Sequence, residues 1–303
     1  MDALVQISEL KFKDGFVPIN GAKIYYKLFE SRGSKMKAIC LHGGPGGSHD
    51  YILPLAKLSK RGITTLFYDQ YASGRSDETP DYLSRFTVDY YVDEVEQVRK
   101  NFFHDEKVFV LGHSWGGILA LSYALKYQQH LKGLIACSGL STVQGYLQNV
   151  NRLRDAFPAR IRKVMDKYEK LGDYTNPEYL KAVDHFNRKH LLRLNKWSKE
   201  ALKTMEYLQA RKPYLAIQGP NEFTVSGTMK DFEITAKLDQ IRVPTLITCG
   251  SYDEAGYYVQ KPIHDAIKGS KLVIFENSAH MLMWEKEANK WLKTIEDFIK
   301  ENA

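Results

Sequence analysis

Residues 108–117 read Val-Phe-Val-Leu-Gly-His-Ser-Trp-Gly-Gly, and no other stretch of the chain restricts its fold so tightly. A β-forming run enters G-x-S-x-G and a helix-forming stretch leaves it, the pattern of a strand that turns at once into a helix. Side chains flanking the serine collide in so tight a turn unless they are very small, hence glycine on both sides. The turn pushes the Ser114 hydroxyl out of the sheet, and the helix behind it points its first N–H groups at any negative charge that develops there. A serine that merely capped a helix would not require this whole context.

The rest of the chain supplies a sheet for that turn. Residues 16–19 and 23–29 flank Asn20-Gly21, a dipeptide suited to the positive φ angles of a tight hairpin. Apolar runs at 38–41, 64–68, 108–111 and 133–138 then alternate with amphipathic helical stretches at 51–60, 88–102 and 117–127. Strand and helix in strict turn predict a parallel sheet with helices on both faces. After Gly139 about a hundred residues turn helical, charged and rich in Tyr and Arg, broken by Pro158, Pro177, Pro213 and Pro220. The alternation resumes with strands at 245–249 and 272–275 and helices at 259–267 and 286–300. The expected organisation is an α/β core of residues 1–140 and 238–303 with a helical cap, 141–237, inserted in its middle.

A serine hydroxyl needs a base, and the base needs an acid to fix its tautomer. In a sheet of this kind the acid follows one late strand and the histidine the next. Asp253 follows the 245–249 run and His280 the 272–275 run. Of the nine histidines, the others precede or adjoin the turn, lie in the cap, or sit within a helix. Asp239 and Asp265 follow no strand end. Attack on a carbonyl also needs donors for the oxyanion. The Trp115 N–H is one, and His42-Gly-Gly-Pro-Gly-Gly47 offers the other, with Gly44 the expected donor. That glycine run lacks the trailing Gly-Lys-Ser/Thr of a phosphate-binding loop.

Composition closes off other classes. The net charge of +7 suggests nucleic acid or an anionic surface, but residues 141–237 carry 18 basic against 11 acidic residues and the remainder is neutral. The basic side chains fall in helical stretches without interleaved aromatics, so a solvated helical face is expected rather than a nucleic-acid module. No apolar run is long enough to cross a membrane and residues 1–15 lack the pattern of a signal peptide, so a soluble cytoplasmic protein is expected. Cys40, Cys137 and Cys249 are too few and scattered for a disulfide framework or zinc site and read as buried thiols. No metal or organic cofactor is expected.

Three segments together, His42-Gly-Gly-Pro-Gly-Gly47, Asp69-Gln-Tyr-Ala-Ser-Gly-Arg-Ser76 and Gly112-His-Ser-Trp-Gly-Gly117, resemble the prolyl aminopeptidases (proline iminopeptidases) of the α/β-hydrolase fold. The similarity runs over essentially the whole chain and is strongest to the archaeal branch that interacts with the tricorn protease, whose P-N-E-F segment is matched by Pro220-Asn-Glu-Phe223. The resemblance implies a mostly parallel eight-stranded sheet and release of N-terminal residues from short peptides. It also implies that Glu222 and Glu254 bind the substrate's α-amino group with Tyr214 in support, and that a larger protease is a partner. Two carboxylates in a water-poor pocket would pair with an ammonium and reject an acylated end. The Arg-Gly of the family's D-Q-R-G-S-G-R-S is Tyr71-Ala72 here, and His113 stands where many members have Gly. These departures argue against a strict preference for proline, and the resemblance to the tricorn-interacting branch implies a broader one, for Pro, Ala and aromatic residues, with the Tyr- and Phe-rich cap lining the pocket. The residues leave two other readings: an esterase, lactonase or amidase for a neutral small molecule, and a non-catalytic receptor on the same scaffold.

Overall fold

The computed structural model describes residues 7–80, 82–210 and 212–303; the first six residues of the chain, Asp81 and Arg211 lie outside the described residues. Eight strands form one sheet in the order β1-β2-β4-β3-β5-β6-β7-β8. They are β1 Lys13–Ile19, β2 Ala22–Phe29, β3 Met36–Leu41, β4 Ile63–Tyr68, β5 Val108–His113, β6 Leu131–Cys137, β7 Thr245–Gly250 and β8 Lys271–Phe275. β1 and β2 form the hairpin across Asn20-Gly21, both residues with positive φ, and β2 pairs antiparallel with β4. The pairings β3–β4, β3–β5, β5–β6, β6–β7 and β7–β8 are parallel, so the expected mostly parallel sheet is what forms.

Residue alternation explains why the sheet is buried on both faces. Ile39, Val108, Val110, Leu134 and Ala136 belong to one apolar cluster. Their chain neighbours Ala38, Cys40, Phe109, Leu111, Ile135 and Cys137 belong to a second on the opposite face. Side chains one apart on a strand point to opposite faces, so near-continuous apolar runs are needed when helices cover both. Helices α1 Val88–Phe103, α2 Trp115–Tyr127 and α7 Tyr257–Ala266 cover the first face. The stretch His49–Arg61 and helix α8 Ala288–Glu301 cover the second. His49–Arg61 is a 3-10 helix with Pro54 inside it; proline removes an N–H donor and crowds the preceding turn. The three cysteines are free and buried.

Between β6 and β7 the chain leaves the sheet through α3 Val143–Asp155, α4 Ala159–Leu171, α5 Pro177–His190 and α6 Lys199–Ala210, then a π-helical turn Tyr214–Gln218. Pro158 precedes α4 and Pro177 is its first-turn proline in α5, where a missing N–H costs nothing. The two ends of this excursion meet at a bridge between Thr142 and Glu233. Its middle is strapped to the core: the His280 N–H donates to the His190 carbonyl (3.2 Å), Met281 N–H to Leu191 (2.9 Å), and Arg193 N–H to Glu285 Oε1 (2.7 Å). Among the described residues no helix is long and apolar enough to cross a membrane.

Candidate active site

Ser114 sits between β5 and α2 with φ 59 and ψ −123, a conformation that L-residues avoid and that costs on the order of 1–3 kcal/mol. The surrounding backbone enforces it. A Cβ on Gly112 would overlap the Gly116 carbonyl, and one on Gly116 would overlap the carbonyl of Leu41. Glycine at both positions is therefore a packing requirement of the turn. The Ser114 N–H is held by the Cys137 carbonyl (2.9 Å), and its carbonyl accepts from Gly117 (2.7 Å), which starts the helix.

Asp253 and His280 follow the ends of β7 and β8 and are buried side by side. His280 Nδ1 lies 2.7 Å from Asp253 Oδ1. That oxygen also accepts the Ala255 N–H (2.7 Å), while Oδ2 accepts the Ser138 hydroxyl (2.5 Å). Burial alone pushes the Asp253 carboxyl up, but His280, Ser138 and the Ala255 amide together hold it below its ordinary range. Burial alone lowers the imidazole, but Asp253, then Glu254 and Glu222, outweigh it and bring His280 up to about 9. Ser114 and His280 line the same cavity. No hydrogen bond joins them among the described residues; in hydrolases that contact commonly tightens only when substrate binds.

The glycine loop approaches Ser114 closely. Gly44 has φ 130, and a Cβ there would press on the N–H groups of Gly46 and Gly47 at 2.8 and 2.7 Å. Two networks fix this loop to the turn. The Trp115 indole donates to Gln70 Oε1 (2.8 Å), and Gln70 in turn donates its side chain to the His42 carbonyl (2.8 Å) and its N–H to His42 Nε2 (3.0 Å). The Gly43 N–H donates to the Tyr51 hydroxyl (2.7 Å), which donates to His113 Nδ1 (2.7 Å). His113 Nε2–H then reaches the His280 carbonyl (2.8 Å). Burial, and after it the nearby His280, push the His113 imidazole down to about 3, so it is neutral with one N–H, as this directed chain needs. His113 thus joins the glycine loop to the His280 loop.

Glu222 comes from the excursion and Glu254 from the loop beside Asp253; both line the cavity with Ser114 and His280. The Glu222 carboxylate accepts the hydroxyls of Tyr214 (2.5 Å) and Tyr146 (2.9 Å). Glu254 is buried, its Oε2 without a protein partner, and Oε1 lies 3.9 Å from His280 Nε2. Burial, and then the neighbouring carboxylates, push its carboxyl up despite His280. The cavity holds about 320 Å³ and is walled on the excursion side by apolar residues of α5 and α6, among them Leu180, Val183, Met205 and Leu208. A recess of about 30 Å³ shares Ser114, Glu222, Glu254 and His280 and is closed by Trp115, Ile118, Leu140 and Met229.

The expected residues Ser114, Asp253, His280, Gly44, Trp115, Glu222, Glu254 and Tyr214 thus surround one site. Sequence reasoning overlooked Tyr51, Ser138 and Tyr146, met Gln70 only as part of the Asp69–Ser76 segment without a role, and noticed His113 only as a departure from a pattern. Tyr71 and Ala72, the other departure, do not line the cavity: Tyr71 is fully buried, gives its N–H to Glu94 (3.0 Å) and its hydroxyl bonds with Thr79. A broader substrate preference therefore cannot be traced to direct contact by that pair.

A strand-to-helix turn bearing a strained serine, an acid–imidazole pair past the ends of β7 and β8 and a helical excursion between β6 and β7 define a hydrolase-type α/β protein. The family model for the alpha/beta hydrolase fold matches residues 39–287. The chain is 50% identical to a proline iminopeptidase of Saccharolobus solfataricus, over 96% of this chain and 93% of that one. It is 48% identical to a proline iminopeptidase of Thermoplasma volcanium, over 96% and 97%. A crystal structure of a proline iminopeptidase from Mycobacterium smegmatis superposes with a TM-score of 0.89 at 28% identity, covering 96% of this chain and 98% of that one. The chain belongs to the α/β-hydrolase family and, within it, to the proline iminopeptidases.

Proposed function

We propose that this chain is a serine aminopeptidase that releases N-terminal proline, and also alanine and aromatic residues, from short peptides through an acyl-enzyme. One observation carries the reading: the cavity that contains Ser114 and His280 also contains Glu222 and Glu254, and no Lys or Arg lines it among the described residues. Two carboxylates without a basic partner suit a substrate that brings its own positive charge. A site built around such a charged partner discriminates by roughly 10⁴, where an apolar pocket achieves about 10².

In the proposed mechanism, residues 141–237 act as a cap that closes over the core of 1–140 and 238–303. The peptide's ammonium docks between Glu222, oriented by Tyr214 and Tyr146, and Glu254. His280 Nε2 takes the Ser114 proton as Oγ bonds to the carbonyl carbon of the first residue, and the carbonyl electron pair moves onto oxygen. Asp253 fixes the imidazole tautomer and Ser138 fixes Asp253. The N–H groups of Gly44 and Trp115 stabilise the oxyanion. The imidazolium then protonates the leaving amine, and water attacks the acyl-enzyme by the reverse sequence. The apolar wall of the larger cavity receives the substrate's side chains. The protein acts in the cytoplasm, and short peptides left by a larger protease complex are its supply.

The test compares release from prolyl, alanyl and phenylalanyl fluorogenic amides, their N-acetylated forms and a short-chain ester. Turnover confined to the free-amine amides, with the ester slow, is expected. Equal turnover of blocked and free substrates would leave an esterase or amidase of the same fold.

A further inference from the structure

His280 Nε2, the nitrogen that must receive the Ser114 proton, has a second neighbour. Glu254 Oε1 stands 3.9 Å from it, on the side opposite the 2.7 Å contact of Nδ1 with Asp253. The imidazole is therefore bracketed by two carboxylates, with both carboxyl groups and the ring buried. The groups facing the ring from the other elements offer no competing cation: His113 from β5 is neutral with its ring centroid 4.7 Å away, and Tyr146 and Tyr214 spend their hydroxyls on Glu222. Among the described residues lining the cavity and its recess, His280 is the one side chain that can carry positive charge at neutral pH.

We propose that Glu254 couples substrate recognition to the base: before substrate binds it holds the imidazolium of His280 at Nε2, and the substrate's α-ammonium replaces that imidazolium as its counter-charge. The inference rests on the amine-binding reading given above. Charge balances at each step. The ammonium brings one positive charge into the site, His280 releases one proton from Nε2 to solvent, and the net charge of the buried cluster is unchanged. The freed Nε2 then accepts the Ser114 proton. Burial disfavours both charges, raising the Glu254 carboxyl and opposing the His280 imidazolium, and each is sustained by its neighbours: His280 pulls the Glu254 carboxyl down, while Asp253, then Glu254 and Glu222, hold the imidazole up. A substrate without an ammonium would thus meet a base that is mostly protonated at pH 7. Selection would act on the chemical step as well as on binding.

The experiment measures pH–rate profiles for p-nitrophenyl acetate and a prolyl fluorogenic amide, with wild type and Glu254→Gln. For wild type, the ester's kcat/KM should rise to a limb near pH 9, while kcat for the prolyl amide should reach its plateau at least one unit lower. Glu254→Gln should move the ester limb down by about a unit or more, which raises ester turnover at pH 7 by about tenfold, while prolyl amide turnover falls. If the variant loses the prolyl amide but its ester limb stays where it was, the coupling is wrong and amine binding by Glu254 survives. If the limb moves and the prolyl amide is unaffected, Glu254 sustains the imidazolium but does not bind the amine, and the proposal falls together with the amine-binding reading of Glu254. Should the variant not fold, the wild-type comparison decides alone: coincident limbs for ester and prolyl amide overturn the proposal.

Discussion

The half of the site carried by the sheet and the half carried by the excursion are held by different means. Ser114, Asp253 and His280 each follow the C-terminal end of a strand, and backbone contacts such as Ser114 N–H to Cys137 and Tyr252 N–H to Ser278 fix the loops that bear them. Glu222 sits past a π-helical turn and is oriented mainly by side chains, the hydroxyls of Tyr214 and Tyr146. In the proposed mechanism the bond-making groups need sub-ångström placement and stand on rigid elements, whereas Glu222, which would only recognise an ammonium, tolerates a softer support. On that mechanism the reaction is built into the fold, and selection is shared between Glu254 beside Asp253 and a segment that can change without rebuilding the sheet.

The hardest blow to this contrast comes from the sheet side. Ser114→Ala should lower kcat on a prolyl amide by about 10⁴-fold or more, and a residual rate within tenfold of wild type would break the account of the nucleophile.

A second test separates the stability of the sheet side from its chemistry. Glu94 on α1 is fully buried, and burial, opposed by the Tyr71 N–H, pushes its carboxyl up to about 8. The folded chain therefore holds this proton more tightly than the unfolded chain, whose value is about 4.3, and stability falls as pH rises between the two. Glu94→Gln should raise stability at pH 8 by on the order of 2 kcal/mol, with no gain at pH 4 and little change in kcat. Equal shifts in Tm at both pH values would contradict it.

His113→Gln sharpens the contrast further. It shortens the bridge between the glycine loop and the His280 carbonyl, so kcat should fall by about tenfold, a loss of roughly 1.4 kcal/mol, with KM little changed. A rise in KM alone would place His113 with selection instead. The smallest effect belongs to Tyr214→Phe, which removes one hydroxyl from Glu222: KM for the prolyl amide should rise several-fold, about 1 kcal/mol, while ester hydrolysis stays unchanged. A matching loss on the ester would mean the tyrosine supports the reaction centre.

The same contrast explains what could be read from the sequence. The G-x-S-x-G turn was legible because glycine is forced there by backbone contact, as Gly112 and Gly116 show. Asp253 and His280 were legible because strand ends in an alternating α/β chain bound where an acid and a base can stand. The hairpin at Asn20-Gly21 followed from turn chemistry. Glu222 carried no local signal and emerged only through resemblance. Ser138 meets Asp253 across 115 residues, Tyr146 meets Glu222 across 76, and Tyr51 meets His113 across 62. No periodicity or spacing encodes such encounters, because they arise only when the sheet brings distant segments together. The 3-10 form of His49–Arg61 was likewise hidden behind an ordinary amphipathic helical pattern.

The most direct test of the division between reaction and selection is the ratio of kcat/KM for a prolyl amide to kcat/KM for a short-chain ester, in wild type and in Glu222→Gln. The account predicts that the ratio collapses by about 10²-fold in the variant because amine recognition is lost while the ester rate is kept. An unchanged ratio, with both substrates slowed alike or neither affected, would contradict it.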